Sequence, residues 1–146
     1  RLVGSEMCIR DRTYIDKSEI NQNFELIFKY KVYIAKAYGE RISSNFWVLG
    51  KPFLGEPNTA CSETYLAIGA FDSESTCQNV MSYIRTQFFR FLVLLKKNPQ
   101  NSSKSTYQFV PIQDFSRPWT DADLYAKYGL TADEIAFIEK MVRPMD

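Results

Sequence analysis

The chain has 146 residues, a formal charge of +1 and a 15% aromatic content. That length suits one domain with a real core and is short for two, and the aromatic content argues against disorder. There is no histidine, which excludes Ser-His-Asp and Cys-His nucleophilic catalysis, His-ligated zinc and imidazole acid–base chemistry.

The chain begins at Arg1 rather than at methionine, which predicts a fragment or the translation of an incomplete reading frame. Arg1–Arg12 (RLVGSEMCIRDR) has neither a helical nor a strand period and resembles a translated sequencing-adapter stretch. It is set aside from fold and function, as a tag or a disordered terminus would be. Lys29–Ile34 is rich in β-branched and aromatic residues with partial alternation, which predicts a strand over about 30–36. Asn45–Leu54 reads as a second extended stretch, with a strand expected near 46–50, although Gly50 and Pro52 limit its regularity. Thr64–Gly69 is the clearest strand.

Helical signals follow. Asp72 or Ser73 supplies an N-cap and Glu74 an acid in the first turn. Val80, Ile84, Phe88, Phe91 and Leu95 then recur at spacings of three and four. The spacing predicts a helix over about 73–97, either continuous or broken near Thr86. Asn98–Thr106 is a polar loop, and Tyr107–Val110 a short strand closed by Pro111. Trp119 precedes a helix start at Thr120–Asp121 and reads as a hydrophobic staple; Gly129 ends that helix. Thr131–Glu134 is a capping box before a last helix, which Pro144 stops. The expectation is an α+β fold: one small sheet, the 73–97 helix packed on it, and a C-terminal helical pair. Residues 13–115 form the α+β domain, and 116–146 the helical segment.

Charge is segregated. From Ser75 to Gln113 there is no acid, while Arg85, Arg90, Lys96, Lys97 and Lys104 give +5. From Asp114 to Asp146 seven acids outnumber four bases. Cys8, Cys61 and Cys77 show no C-x-x-C spacing, and so sparse a set of thiols fits a reducing cytoplasm. The longest apolar run, Phe88–Leu95, is interrupted by Arg90, so no membrane partner is expected.

Catalytic motifs are missing. The acid-x-Lys pair of a metal-dependent restriction nuclease precedes none of the lysines from Lys17 to Lys140. No G-x-G-x-x-G, Walker loop or Pro-Pro occurs. Asp121 and Asp123 are an acid pair, but at a helix start, where dipole stabilisation accounts for them. Nucleic-acid contact remains open. Arg85 and Arg90, then Lys96, Lys97, Asn98, Gln100, Asn101 and Lys104, set cations for phosphates beside amides that can pair with adenine edges. The competing account is a solvated helix end whose lysines answer the C-terminal dipole. The Phe88, Phe89 and Phe91 cluster reads as core rather than as a base-stacking platform.

Residues 61–74 (CSETYLAIGAFDSE), 82–101 (SYIRTQFFRFLVLLKKNPQN) and 107–145 resemble the C-terminal end of bacterial type II restriction–modification enzymes. These are adenine-specific DNA methyltransferases, often described as restriction endonucleases, with an Asn-Pro-Pro-Tyr catalytic motif. The likeness covers most of Lys29–Asp146. It is carried by the Phe-Phe-Arg-Phe-Leu, Phe-Val-Pro-x-Gln-Asp-Phe and Lys-Tyr-Gly-Leu-Thr elements. It implies a target-recognition region that grips double-stranded DNA, cut from an upstream catalytic domain of the same parent chain. S-adenosylmethionine is then expected for the parent and no cofactor for this chain, and no catalytic residue carries over. The resemblance raises the DNA reading of Arg85, Arg90, Lys96, Lys97, Asn98, Gln100, Asn101 and Lys104. The alternatives are a protein-interaction domain of a restriction–modification complex, or part of the endonuclease moiety.

Overall fold

The structure, a computed structural model, describes residues 4–8, 13–36, 45–96 and 104–145, with backbone only at 4–8, 13–15 and 104–105. The fold is α+β. The central sheet is antiparallel, with β3 (Tyr30–Ala35) between β4 (Phe53–Gly55) and β6 (Tyr65–Phe71). A second sheet sets β1 (Gly4–Cys8) between β2 (Thr13–Asp16), antiparallel, and β5 (Thr59–Cys61), parallel. Residues 4–8, within the stretch set aside on sequence grounds, thus have a strand backbone.

β3 is buried on both faces, and its alternation divides the labour. Val32 and Ile34 face the helical layer and join the main apolar cluster. Lys31 and Tyr33 face β5: the Tyr33 hydroxyl is 3.2 Å from Thr59 Oγ1. Lys31 is 1% exposed, and its ammonium donates to the carbonyls of Leu26, Ile27, Lys29 and Glu56 at 2.9–3.3 Å. Two glycines shape the sheet. A Cβ at Gly55 would run into the Tyr33 ring, and Gly69, with φ +127°, sits at the bulge that lets β6 run on to Phe71.

The expected 73–97 helix is two helices, α1 (Glu74–Arg85) and α2 (Gln87–Leu94). Thr86 breaks it with an extended ψ of 148°. Its hydroxyl donates to Tyr83 O at 2.6 Å and accepts from Phe89 N at 3.1 Å, so one side chain closes α1 and opens α2. The break resets the helical phase. Val80, Ile84 and Phe88 are core, but Leu95, beyond the end of α2, is 58% exposed, which corrects the single continuous face. Phe88 and Phe89 are buried, as a core reading requires.

Two expected strands are absent. Residues 46–50 cannot pair regularly, because Asn45 and Val48 have φ of 65° and 71°. They are pinned to the far end of the chain instead: Phe46 bridges to Val142, and Arg143 N donates to Phe46 O at 2.9 Å. Tyr107–Val110 follows a single 3-10 turn (Lys104–Tyr107) and closes on itself through Val110 N to Tyr107 O. Phe46, Val48 and Leu49 go to burial rather than to a ladder, and in 107–110 Tyr107 and Val110 pack on the core while Phe109 stays exposed.

The C-terminal pair, α3 (Asp121–Lys127) and α4 (Ala132–Met141), starts on two capping boxes, Thr120 with Asp123 and Thr131 with Glu134. α3 ends in a Schellman arrangement on Gly129 (φ 62°): Leu130 N reaches Tyr125 O at 3.0 Å and Gly129 N reaches Ala126 O at 3.3 Å. Trp119 is buried just before the first cap, its indole N–H on Asp114 O at 2.9 Å.

Asp121 does more than start α3. Its carboxylate accepts from Gln87 N at 3.0 Å and Phe88 N at 2.9 Å, the first two amides of α2. With Thr86 on Phe89 N, the three leading donors of α2 are satisfied. Replacing Asp121 by alanine orphans two amides and is expected to cost about 1–3 kcal/mol in urea unfolding, whereas asparagine, which keeps one acceptor, costs less. Equal losses for the two variants would refute the capping role.

Arg90 is the other cross-link. Its side chain is fully buried. Nε donates to Thr86 O at 3.2 Å, Nη2 to Arg85 O at 2.8 Å, and Nη1 to Trp47 O at 3.2 Å and Arg143 O at 2.6 Å. One guanidinium thereby fastens the helix break, the 45–50 segment and the chain end. Arg90→Met strips donors from buried carbonyls and is expected to lower stability by about 3 kcal/mol. A loss under about 1 kcal/mol would show that the carbonyls find other donors.

Candidate nucleic-acid interface

The eight residues expected to contact DNA fall into three groups. Arg90 is inside the protein, and its donors are turned to backbone carbonyls, so it is removed from the surface set. The physical reason is α2 itself, which is short, apolar and enclosed, so its one charge is stitched inward rather than solvated. Arg85 and Lys96 are described and lie at opposite ends of α2, roughly 12 Å of helix apart. Arg85 is half-buried, and its Nε finds no hydrogen-bond partner. Lys96 is exposed, its ammonium 5.2 Å above the ring of Phe109, itself 49% exposed. Lys97, Asn98, Gln100 and Asn101 lie outside the described residues, and the side chain of Lys104 does too. The structure therefore places one exposed cation beside an exposed aromatic ring, at the edge of the predicted recognition loop.

Other cation–aromatic groupings escaped the sequence reading. Trp119 carries Arg117 4.3 Å and Lys127 4.9 Å from its ring centroid. Trp47 carries Lys51 at 5.3 Å and Arg143 at 5.0 Å. Arg117 is two residues from Trp119, and Lys51 four from Trp47, so those halves were legible as neighbours. Lys127 and Arg143 arrive through α3 and the chain end, which no local spacing announces.

Behind Trp119 lies a polar chain. Lys127 Nζ donates to Gln113 Oε1 at 2.5 Å, and Gln113 Nε2 donates to the Tyr128 hydroxyl at 2.8 Å. The Tyr83 hydroxyl donates to Pro111 O at 2.9 Å; burial pushes its pKa up to about 12 against the opposing bond from Gln113. Burial, with the carboxylates of Asp121 and Glu139 next, likewise raises the Tyr125 phenol. Both phenols stay neutral and do not act as bases; Tyr83 is the one seen to hydrogen-bond, to Pro111 O. Tyr128 stacks on Phe88 with centroids 5.2 Å apart and planes 9° apart, tying α3 to α2.

On the far side of the sheet a cleft of about 410 Å³ opens between the 19–27 segment and β5. It is lined by Lys31, Tyr33, Lys36, Thr59, Cys61 and Glu63 among others, a mixed set of charges. Among the described residues, no group of three or more Cys, Asp or Glu is arranged to hold a metal. Nor is any helix among them long and apolar enough to cross a membrane.

No protein-family model matches this chain. No curated protein and no solved structure matches it either.

The two described thiols differ sharply. Cys77 is fully buried on the inner face of α1, and burial, with Glu74 adding to it and Lys31 opposing, pushes its pKa up to about 11. Cys61 is half-buried on the cleft wall. Alkylation of the folded protein at about pH 8 should label Cys61 well before Cys77, and peptide mass spectrometry reads the ratio. Equal labelling would contradict the burial of Cys77.

Proposed function

We propose that this chain is a DNA target-recognition piece of an adenine-specific type II restriction–modification methyltransferase, carrying no catalytic residues of its own. Its partners are then double-stranded DNA and the upstream catalytic domain of the parent. S-adenosylmethionine is bound by that domain, and the setting is cytoplasmic. The reading rests on the sequence resemblance. The observation that carries it onto the structure is Lys96. This cation stands exposed beside an exposed Phe109 where α2 hands over to the 97–103 segment. Phosphate neutralisation by such cations is the sequence-independent part of DNA binding, and amide side chains nearby supply base readout. Arg85 is a secondary contributor because it is half-buried, and Arg90 a structural one.

Titrations of duplexes at several salt concentrations test this. Replacing Lys96, Lys97 and Lys104 together by alanine should flatten the slope of log affinity against log salt by up to about 2.7. Affinity should fall alike for all sequences. Substitution of Asn98, Gln100 or Asn101 should instead relax preference at single base pairs, at about 1–3 kcal/mol where a bidentate contact is made. If the triple-lysine variant keeps the parent slope, the lysines merely solvate a helix end and the DNA reading fails.

A further inference from the structure

The strap from Tyr107 to Gln113 is anchored to the body at several positions. Tyr107 and Val110 pack on the main apolar cluster, and Val110 N donates to Tyr107 O at 3.0 Å, which closes the turn between them. Pro111 O accepts from the Tyr83 hydroxyl at 2.9 Å. Gln113 is buried, with its amide bonded to Tyr128 and Lys127. Between these anchors two apolar side chains are left in solvent: Phe109 is 49% and Ile112 90% exposed. A single exposed apolar side chain needs no explanation, but two held out by one pinned strap do. The neighbours of Phe109 spend their own side chains on the core, so setting its ring against a partner costs little ordering entropy.

The charge around that ring indicates the partner. Lys96 Nζ stands 5.2 Å from the Phe109 centroid. The stretch from Ser75 to Gln113, which holds both residues, contains no acid, and Lys97 and Lys104 lie between them in the sequence. A flat apolar ring beside a cation complements a polymer that joins apolar faces to negative charges. Nucleic acid is such a polymer, because every base has a π face and a phosphate attached through its sugar.

We propose that Phe109 is a wedge that enters the base stack of the bound duplex while Lys96 neutralises a neighbouring phosphate. This rests on the DNA reading above and adds to it a contact that reads neither phosphate nor base edge. An apolar side chain between base pairs partly unstacks the step and kinks the duplex. The sequence preference it brings is therefore for steps that part easily, such as TA and CA/TG. Phe88 and Phe89 are buried and cannot take this role, which falls to Phe109.

Titrations of the whole chain with a short duplex at several salt concentrations separate the two residues. Phe109→Ala should lower affinity at least about fivefold and leave the salt slope unchanged, because no phosphate contact is lost. Lys96→Ala should flatten that slope by about 0.9. Plasmid topology reads the wedge itself. A plasmid relaxed by a topoisomerase under saturating protein should retain a linking deficit with the parent chain and with Phe109→Trp, and lose it with Phe109→Ala. The ring is exposed, so circular dichroism should show the same fold in every variant. If the parent binds duplex in a salt-dependent way but Phe109→Ala matches it in either affinity or unwinding, the wedge is overturned and the DNA reading stands; the strap is then left for a protein partner. A parent chain that binds no duplex at low salt overturns both.

Discussion

A buried guanidinium whose donors are turned to main-chain carbonyls holds the helical half of this protein together. Arg90 offers its donors to four backbone carbonyls contributed by three separate stretches of chain. Desolvating a guanidinium is costly, and the cost is offset only if its donors meet acceptors of good geometry. Those acceptors exist because Thr86 interrupts the helix, which leaves the carbonyls at the end of α1 without helical partners. The break and the arginine are therefore one device. Without the break the carbonyls of Arg85 and Thr86 would be spent on a continuing helix, and Arg90 would have to turn to solvent.

Around that device the remaining ends are closed by long-range contacts. Asp121 lends its carboxylate to the first two amides of α2 from the first turn of α3. Gln87 ties the same end to the terminus of α4. Phe88 and Tyr128 stack between them. α2 has only eight residues, too few to persist alone in water, and it exists because these neighbours complete it. Its far end, Leu95 and Lys96, is the part that the fold leaves uncommitted.

Legibility in the sequence follows the range of the interactions. Ser73, Thr120 and Thr131 were readable as helix starts because a cap acts within three residues of itself. The Gly129 stop was readable for the same reason. β3 announced itself by partial alternation and β-branched content, and β6 as a short apolar run with Gly69 near its end. Residues 46–50 and 107–110 have the same composition, and nothing local distinguishes a chain clamped by a distant carbonyl from one in a ladder. Arg90 was the instructive miss. Its setting, Phe-Phe-Arg-Phe-Leu, opens the longest apolar run in the chain, and a single charge there has little water within reach. Read as part of a basic stretch it looked like a phosphate contact; read as part of its own helix it belongs to the interior. Asp121 was recognised as a helix-start acid, but its bonds to α2 span more than thirty residues and have no sequence signature. Of the proposed DNA-facing set, Lys96 alone is described as an exposed side chain, which is the behaviour that its place at a helix end suggests.

Lys31 repeats the logic of Arg90 on the other side of the sheet, with its ammonium enclosed by the carbonyls of Leu26, Ile27, Lys29 and Glu56. Acceptors of this kind belong to the main chain and are present whatever side chain is attached. The two clamps therefore divide mutational freedom unevenly. The cations are irreplaceable, while a position that supplies nothing but its carbonyl answers only for backbone shape. Exposed positions such as Lys29 and Glu56 can drift among many residue types without loosening the clamp. Deep substitution data on this chain would show two intolerant basic positions, with ordinary tolerance at exposed acceptor positions such as Lys29 and Glu56.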